Sequence, residues 1–376
     1  MTAKPNLFAQ GTDFTIFKNE SAFYPEFLPE DLPGREAQVR EVTEALKPLI
    51  KGQRATNLLL YGGTGTGKTA CAKYVSRELE SYTPRVKVLY LNCFEYNSRH
   101  AILTKIANAI GCPTPRKGGS TDEMFDSLVQ YLPKSEKTVL VILDELDQLL
   151  KSDEASKLLY DLLRMSEYKV SPIPFIAVTN DVTLTMRLDA RVRSSLLERQ
   201  VEFKPYTPLD LKKILRERAS LALREGYYEE DSLALATAYG AESGGDVRIA
   251  IEVLWKGAKL AEARNSMLKA EHVKQAFSSR VDHKAGRALA ALSEGEKQFL
   301  SDLLPLLQKK GSITSGDLYS LYERHSKAPL SERTIRLYVS RLTAFNVLKS
   351  SKAALDKGRS QVISLNMAPE KVRELL

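Results

Sequence analysis

Cysteine is scarce in this chain: Cys71, Cys93 and Cys112 are the three in 376 residues, with no Cys-x-x-Cys spacing, and each falls in or beside an apolar segment. That excludes a disulfide framework and a cysteine-built metal cluster, and leaves three reduced packing residues. Histidine is nearly as rare, and His100, His272, His283 and His325 lie too far apart in sequence to suggest a metal site. Long apolar stretches are missing too. The longest uninterrupted runs are about five residues, against the ~20 that a membrane-spanning helix needs. Met1-Thr2-Ala3-Lys4-Pro5 carries no apolar signal segment, so the expectation is a cytoplasmic chain that meets no membrane. What remains is ordinary globular usage, 43% hydrophobic and 27% charged, over a length suited to two or three domains.

Against that plain background one stretch stands out. Gly62, Gly63, Thr64, Gly65, Thr66, Gly67, Lys68 and Thr69 directly follow the apolar run Leu58-Leu59-Leu60-Tyr61 and lead through Ala70 into a helical pattern. Glycines there let the backbone fold into a nest of N–H donors around phosphate oxygens, Lys68 adds positive charge, and the Thr69 hydroxyl can ligate Mg²⁺. A glycine-rich surface turn is the bland alternative. The second signal is Val139-Leu140-Val141-Ile142-Leu143 running into Asp144 and Glu145, a strand buried on both faces with two acids at its carboxyl end. Two acids after a strand often make only a solvated turn. Beside a phosphate loop, Asp144 is expected to meet Mg²⁺ and Glu145 to orient or deprotonate the attacking water.

Residues 87–91, 175–178 and 201–203 read as further strands. Helical periodicity at residues 35–50, 100–110, 121–131 and 156–166 alternates with them, which predicts a doubly wound parallel sheet. Residues 1–26 read as a loose arm leading into an aromatic-rich segment. Asn180 follows the fourth strand, at the sheet's carboxyl edge, where its amide can position water or sense a γ-phosphate, or else open an Asx turn. Four arginines crowd residues 187–199. One of them could reach a neighbouring subunit's ATP, or the group could simply form a basic helix face. From residue 206 the pattern turns all-helical, at 208–225, 231–241, 245–262 and 269–278. In this lid Asp246 starts a helix and Arg248 sits one turn in, aimed at the phosphates if the lid closes, or otherwise an exposed helix charge.

Residues 286–376 hold 15 lysines and arginines against 9 acids, which makes +6 of the chain's +8. Such a concentration points to an anionic partner, nucleic acid first, with a merely solubilising surface as the alternative. Helices are expected at 294–308, 314–326 and 332–345, the last capped by Ser331. On the third, Ile335, Tyr338, Val339, Leu342 and Phe345 share one side, and Arg333, Arg336, Leu337, Ser340 and Arg341 share the other. Two short strands follow at 347–350 and 361–365 around a basic tip with Lys357 and Arg359. This is a winged-helix pattern, its third helix suited to the major groove and its tip to backbone or minor groove. Winged helices also bind proteins.

The chain from Lys68 through Arg248 resembles the AAA+ ATPases, and in detail one branch, the archaeal replication initiators related to eukaryotic origin-recognition and cell-division-control proteins. Pro33-Gly34-Arg35-Glu36, Asn92-Cys93, Leu143-Asp144-Glu145-Leu146-Asp147, Leu188-Asp189-Ala190-Arg191-Val192-Arg193-Ser194-Ser195-Leu196, Phe203-Lys204-Pro205-Tyr206 and Gly245-Asp246-Val247-Arg248 carry the resemblance. It implies an AAA+ P-loop core at 1–205, an all-α lid at 206–285 and a winged-helix DNA-binding domain at 286–376. It also implies ATP/ADP with Mg²⁺ at residues 62–70, Tyr206 and Arg218 as further nucleotide contacts, Asn180 and Arg248 as sensors, and Arg191, with Arg193 its rival, as the arginine acting in trans. An extra helix that grips DNA is implied between residues 92 and 120. The implied function is a weak ATPase used as a switch on an initiator that binds duplex DNA at replication origins in the nucleoid. Its implied partners are the replicative helicase and other initiator subunits or copies of itself. A branch-migration motor of the Holliday-junction type, also an AAA+ core with a winged helix, is the other class considered.

Overall fold

The computed structural model describes residues 14–113, 119–135, 137–151, 154–168, 170–196, 199–325, 330–345, 347–355, 358–366 and 369–375. By compactness the chain divides into Met1–Lys274 and Gln275–Leu376, so the expected 205/206 boundary lies inside the first unit.

In that unit β1 (Leu58–Gly62), β2 (Val86–Asn92), β3 (Thr138–Asp144), β4 (Phe175–Thr179) and β5 (Gln200–Phe203) form one sheet in the order β2-β3-β4-β1-β5, every pairing parallel. Burial switches face at each residue. Leu59, Val139, Val141, Leu143, Phe175 and Ala177 belong to one core, and Leu58, Leu60, Leu140, Ile142, Ile176 and Val178 to the other. A period-2 chain covered on both faces has no polar side, and for that reason these strands read as unbroken apolar runs. Helices Arg99–Ala109, Thr121–Tyr131 and Glu154–Arg164 supply the first core, while Glu36–Leu46 and Lys68–Tyr82 supply the second. This is the doubly wound sheet that the alternation predicts. The order sets β4 between β1 and β3, so its carboxyl end opens between the phosphate loop and Asp144. The three cysteines are buried, and burial pushes the Cys71 and Cys93 thiols up to about 12.

The lid helices are Pro208–Ala222, Glu230–Glu242 and Val247–Ala263, the first held by a reciprocal Thr207/Asp210 capping box with Pro208 in its first turn. A fourth, expected to stop at Ser278, runs Ala270–Ala290, there being no proline in residues 279–290 to end it. Of the arm, residues 1–13 lie outside the described residues. The rest packs on the lid: Phe17 bridges Leu223, and Trp255 Nε1 donates to Glu20 Oε1 at 2.8 Å.

In the second unit helices Glu294–Lys310, Ser315–His325 and Glu332–Ala344 surround Phe299, Leu300, Leu303, Ile335, Val339, Leu342 and Ile363. β7 (Leu348–Leu355) and β8 (Gly358–Leu365) pair antiparallel as the wing. Two elements were not anticipated. β6 (Ser312–Thr314) adds a third strand against β8, and Pro369–Leu375 forms a short final helix packed on Glu294–Lys310.

Candidate nucleotide and DNA sites

The loop after β1 turns back on itself because Gly65 and Gly67 take positive φ, 67° and 87°. A side chain at Gly65 would also collide with the Asp246 carboxylate, and one at Gly67 with the Tyr206 hydroxyl. Lys68, 5% exposed, opens the following helix, and its Nζ donates to Gly62 O at 3.0 Å and Gly63 O at 2.6 Å. Burial lowers its pKa to about 8, helped by the nearby Arg248 and Arg35 and opposed by Asp144 and Asp147. A buried ammonium resting on its own loop's carbonyls, inside a glycine turn at a helix N-terminus, fits a phosphate partner.

Asp144 ends β3 facing the same helix. Its Oδ2 accepts from Thr69 Oγ1 at 2.9 Å and from Tyr90 OH at 2.7 Å, and its Oδ1 from the Glu145 backbone N–H at 3.0 Å. Asp144 is 5% exposed, and its oriented carboxylate stands beside a hydroxyl, an all-oxygen pair that fits Mg²⁺. Glu145 has φ 55°, a strained value for a residue with a side chain. Asp147 accepts from Thr179 Oγ1 at 3.0 Å, joining the ends of β3 and β4. Asn180, the next residue, is exposed. The Asx turn considered for Asn180 is made instead by Asp181, whose Oδ1 takes the Thr183 N–H at 2.8 Å.

The lid reaches this loop directly. Val247 N–H donates to Gly65 O at 3.2 Å, and Asp246 caps the helix by accepting the Arg248 N–H at 2.9 Å. The same carboxylate holds the Arg248 guanidinium, with Nε to Oδ1 at 3.3 Å and an Nη to Oδ2 at 3.2 Å. Tyr206 is buried against the loop, and burial raises its phenol pKa. Arg218 lines the same pocket as Gly67, Ala70 and Tyr206. Its guanidinium, however, donates to Ala22 O at 2.9 Å and Phe27 O at 3.3 Å, which commits it to the arm.

Arg191 is exposed on helix Ala190–Leu196, at the rim of a cleft of about 410 Å³ shared with Arg99, Lys157 and Asp161. Arg193 is exposed as well, so burial does not separate the two. Between residues 92 and 120 the described helix is Arg99–Ala109, anchored by Arg99 to Asp161 at 2.5 Å and Asp122 at 2.7 Å.

On helix Glu332–Ala344 Ile335, Val339 and Leu342 are buried while Arg333, Arg336, Leu337, Ser340 and Arg341 are exposed. Two of the arginines have partners within the unit. Arg336 donates to Tyr319 OH at 2.9 Å and Glu332 at 3.2 Å, and Arg341 lies 3.0 Å from Oε1 of the fully buried Glu296. That last contact is an ion pair by distance but lacks hydrogen-bond geometry. Lys357 lies outside the described residues, and Arg359 is placed only as backbone of β8, paired with Ala354.

With the geometry in view, comparison decides the family. An AAA domain matches residues 50–185, a Cdc6 AAA+ ATPase-type lid domain residues 212–278, and a CDC6 C-terminal winged helix domain residues 287–375. The chain is 33% identical to the ORC1-type DNA replication protein 1 of Archaeoglobus fulgidus over 355 residues, 92% of this chain and 86% of that one. It belongs to the ORC1-type replication proteins. Among solved structures it is similar to the Aeropyrum pernix ORC1 protein in complex with DNA (TM-score 0.73, 29% identity, 97% of each chain). It is also similar to the Aeropyrum pernix ORC2 protein in ADPNP–ADP complexes (TM-score 0.68, 26% identity, 96% of this chain and 97% of that one). The fold is thus an AAA+ ATPase core with lid and winged helix, and the Holliday-junction motor yields to the replication-initiator family, since lid and winged helix both match Cdc6 domains.

Within this ORC1-type chain two residues that brace the candidate nucleotide site from outside escaped the sequence reading. Arg35 is 4% exposed, donates through Nε to Thr66 O at 2.8 Å and through an Nη to Lys204 O at 2.6 Å, and stacks 3.9 Å from the Tyr206 ring centroid. It thereby joins the phosphate loop, the end of β5 and the start of the lid. Its signal was present in Pro33-Gly34-Arg35-Glu36, but nothing in that tetrapeptide says where the guanidinium goes. Tyr90, on Asp144, gave no signal beyond strand propensity.

Proposed function

We propose that this chain is a nucleotide-switched replication initiator, holding ATP or ADP with Mg²⁺ and binding duplex DNA at origins through its winged helix and its ATPase domain. One observation carries the switch: the lid's first helical turn, through Val247 and Asp246, rests directly on Gly65 of the phosphate loop. Whatever fills the loop must act on the lid.

In this reading the N–H groups of residues 63–69 and the Lys68 ammonium bind the phosphates, and Lys68 exchanges its loop carbonyls for them. Thr69 and Asp144 hold Mg²⁺, which when bound draws charge from the phosphates. Glu145 orients water, and Asn180 sits at the gap between β1 and β3 to hold that water or meet the γ-phosphate. Arg248 leaves Asp246 for the phosphates as the lid closes, and Arg191 of one copy serves its neighbour's site. Arg35 and Tyr206 fix the wall beside Gly67, and Arg218 acts there through the arm. Arg333, Arg336, Ser340, Arg341, Lys357 and Arg359 meet the duplex, and helicase recruitment follows at the origin. Support comes from the family, whose solved relatives include an ORC1 bound to DNA and an ORC2 with ADPNP and ADP.

Genome-wide footprinting of the protein on its own chromosome tests this reading. Discrete peaks at replication start sites are expected, and a uniform or junction-dependent distribution would overturn it.

A further inference from the structure

Asp144 is oriented by a residue outside both the glycine loop at 62–69 and the strand that ends in Asp144. Its Oδ2 carries two donors, Thr69 Oγ1 at 2.9 Å and Tyr90 OH at 2.7 Å, so the carboxylate cannot turn about its Cβ–Cγ bond without abandoning both. Tyr90 lies on β2, where Asn92 is the register partner of Asp144, so the ring approaches from the diagonal position on the neighbouring strand. The ring is itself fixed. Lys73 Nζ sits 3.8 Å from its centroid, and Lys73 is one turn after Thr69 on helix Lys68–Tyr82. Strand and helix therefore hold the phenol from two sides, with its hydroxyl on the acid and its face under the ammonium.

We infer that Tyr90 is a positioning residue for the divalent cation that accompanies the nucleotide, acting through Asp144. This rests on the nucleotide reading above. A buried carboxylate free to rotate presents its lone pairs to a cation only part of the time, whereas one pinned on Oδ2 presents them in a single direction. Outer partners of this kind typically change metal affinity by about 10–100-fold when removed.

Tyr90→Phe isolates the effect, since it keeps the ring, its packing and its contact with Lys73 and deletes only the donor. ADP affinity of the full-length protein, measured by calorimetry across a Mg²⁺ series and in EDTA, reads it. The free Mg²⁺ needed for half-maximal tightening should rise about tenfold in Tyr90→Phe, with affinity in EDTA unchanged. A midpoint equal to that of the wild type overturns the inference alone. Equal loss of affinity with and without Mg²⁺ marks a merely structural tyrosine and also overturns it. Wild-type protein whose ADP affinity ignores Mg²⁺ overturns the cation site and this inference with it.

Discussion

The phosphate loop and the third helix of the winged unit handle positive charge in opposite ways. Lys68 is buried, its ammonium held by loop carbonyls and its pKa brought down to about 8, so in the proposed function a bound phosphate would exchange one set of close oxygens for another. Arg333, Arg336 and Arg341 stand exposed on a face whose reverse side, Ile335, Val339 and Leu342, is core. Their charge is open to salt and solvent. The first arrangement gives geometric selectivity and pH sensitivity, and the second gives long-range attraction with strong ionic-strength dependence.

The sharpest way to break that contrast is Lys68→Ala. It should weaken ADP binding more than about 100-fold, because a desolvated phosphate loses its charged partner, while duplex binding stays measurable by fluorescence anisotropy. Unchanged ADP affinity would remove the loop from the site. Arg333→Ala with Arg336→Ala should do the reverse. Duplex affinity should fall about tenfold and the slope of log affinity against log salt should flatten by about two, with ADP affinity untouched. Retained slope would mean that this face does not meet DNA.

A smaller effect sharpens the difference through pH. Burial lowers the free Lys68 pKa to about 8, and a bound phosphate must raise it again, so binding takes up a proton above that value and weakens as pH rises through it. From pH 7 to 8.5 the protonated fraction implies a loss of roughly fourfold in ADP affinity. Calorimetry in buffers of different ionisation enthalpy should register the proton, and a flat profile contradicts the assignment. The smallest change expected is structural. Arg341→Ala leaves Glu296 Oε1 buried without its ion-pair partner and should lower the melting temperature by about 5 °C, whereas Arg333→Ala should not. Equal melting temperatures for the two would show that the Arg341 contact stabilises nothing.

Sequence legibility follows the same divide between local and distant contacts. The glycine loop, the run into Asp144 and Glu145, and the two faces of helix Glu332–Ala344 are written within a few residues, and periodicity exposes them. Arg35 bonds Thr66 across 31 positions and Tyr90 bonds Asp144 across 54, so neither role can be read from its neighbours. Arg218 shows the other side of this. Resemblance puts it at the nucleotide, and it lines a pocket with Gly67 and Tyr206, but its guanidinium donates to Ala22 and Phe27, 196 and 191 positions away. β6, a three-residue strand completed by β8, has no periodic signal of its own.

In the proposed switch the occupant of the loop governs what the exposed arginines do. Duplex affinity of the full chain should therefore be compared in ADP·Mg²⁺ and in a non-hydrolysable ATP analogue with Mg²⁺, for the wild type and for Lys68→Ala. Affinities that differ between the nucleotides in the wild type and coincide in Lys68→Ala are predicted, and identical wild-type affinities in both nucleotides would contradict the switch.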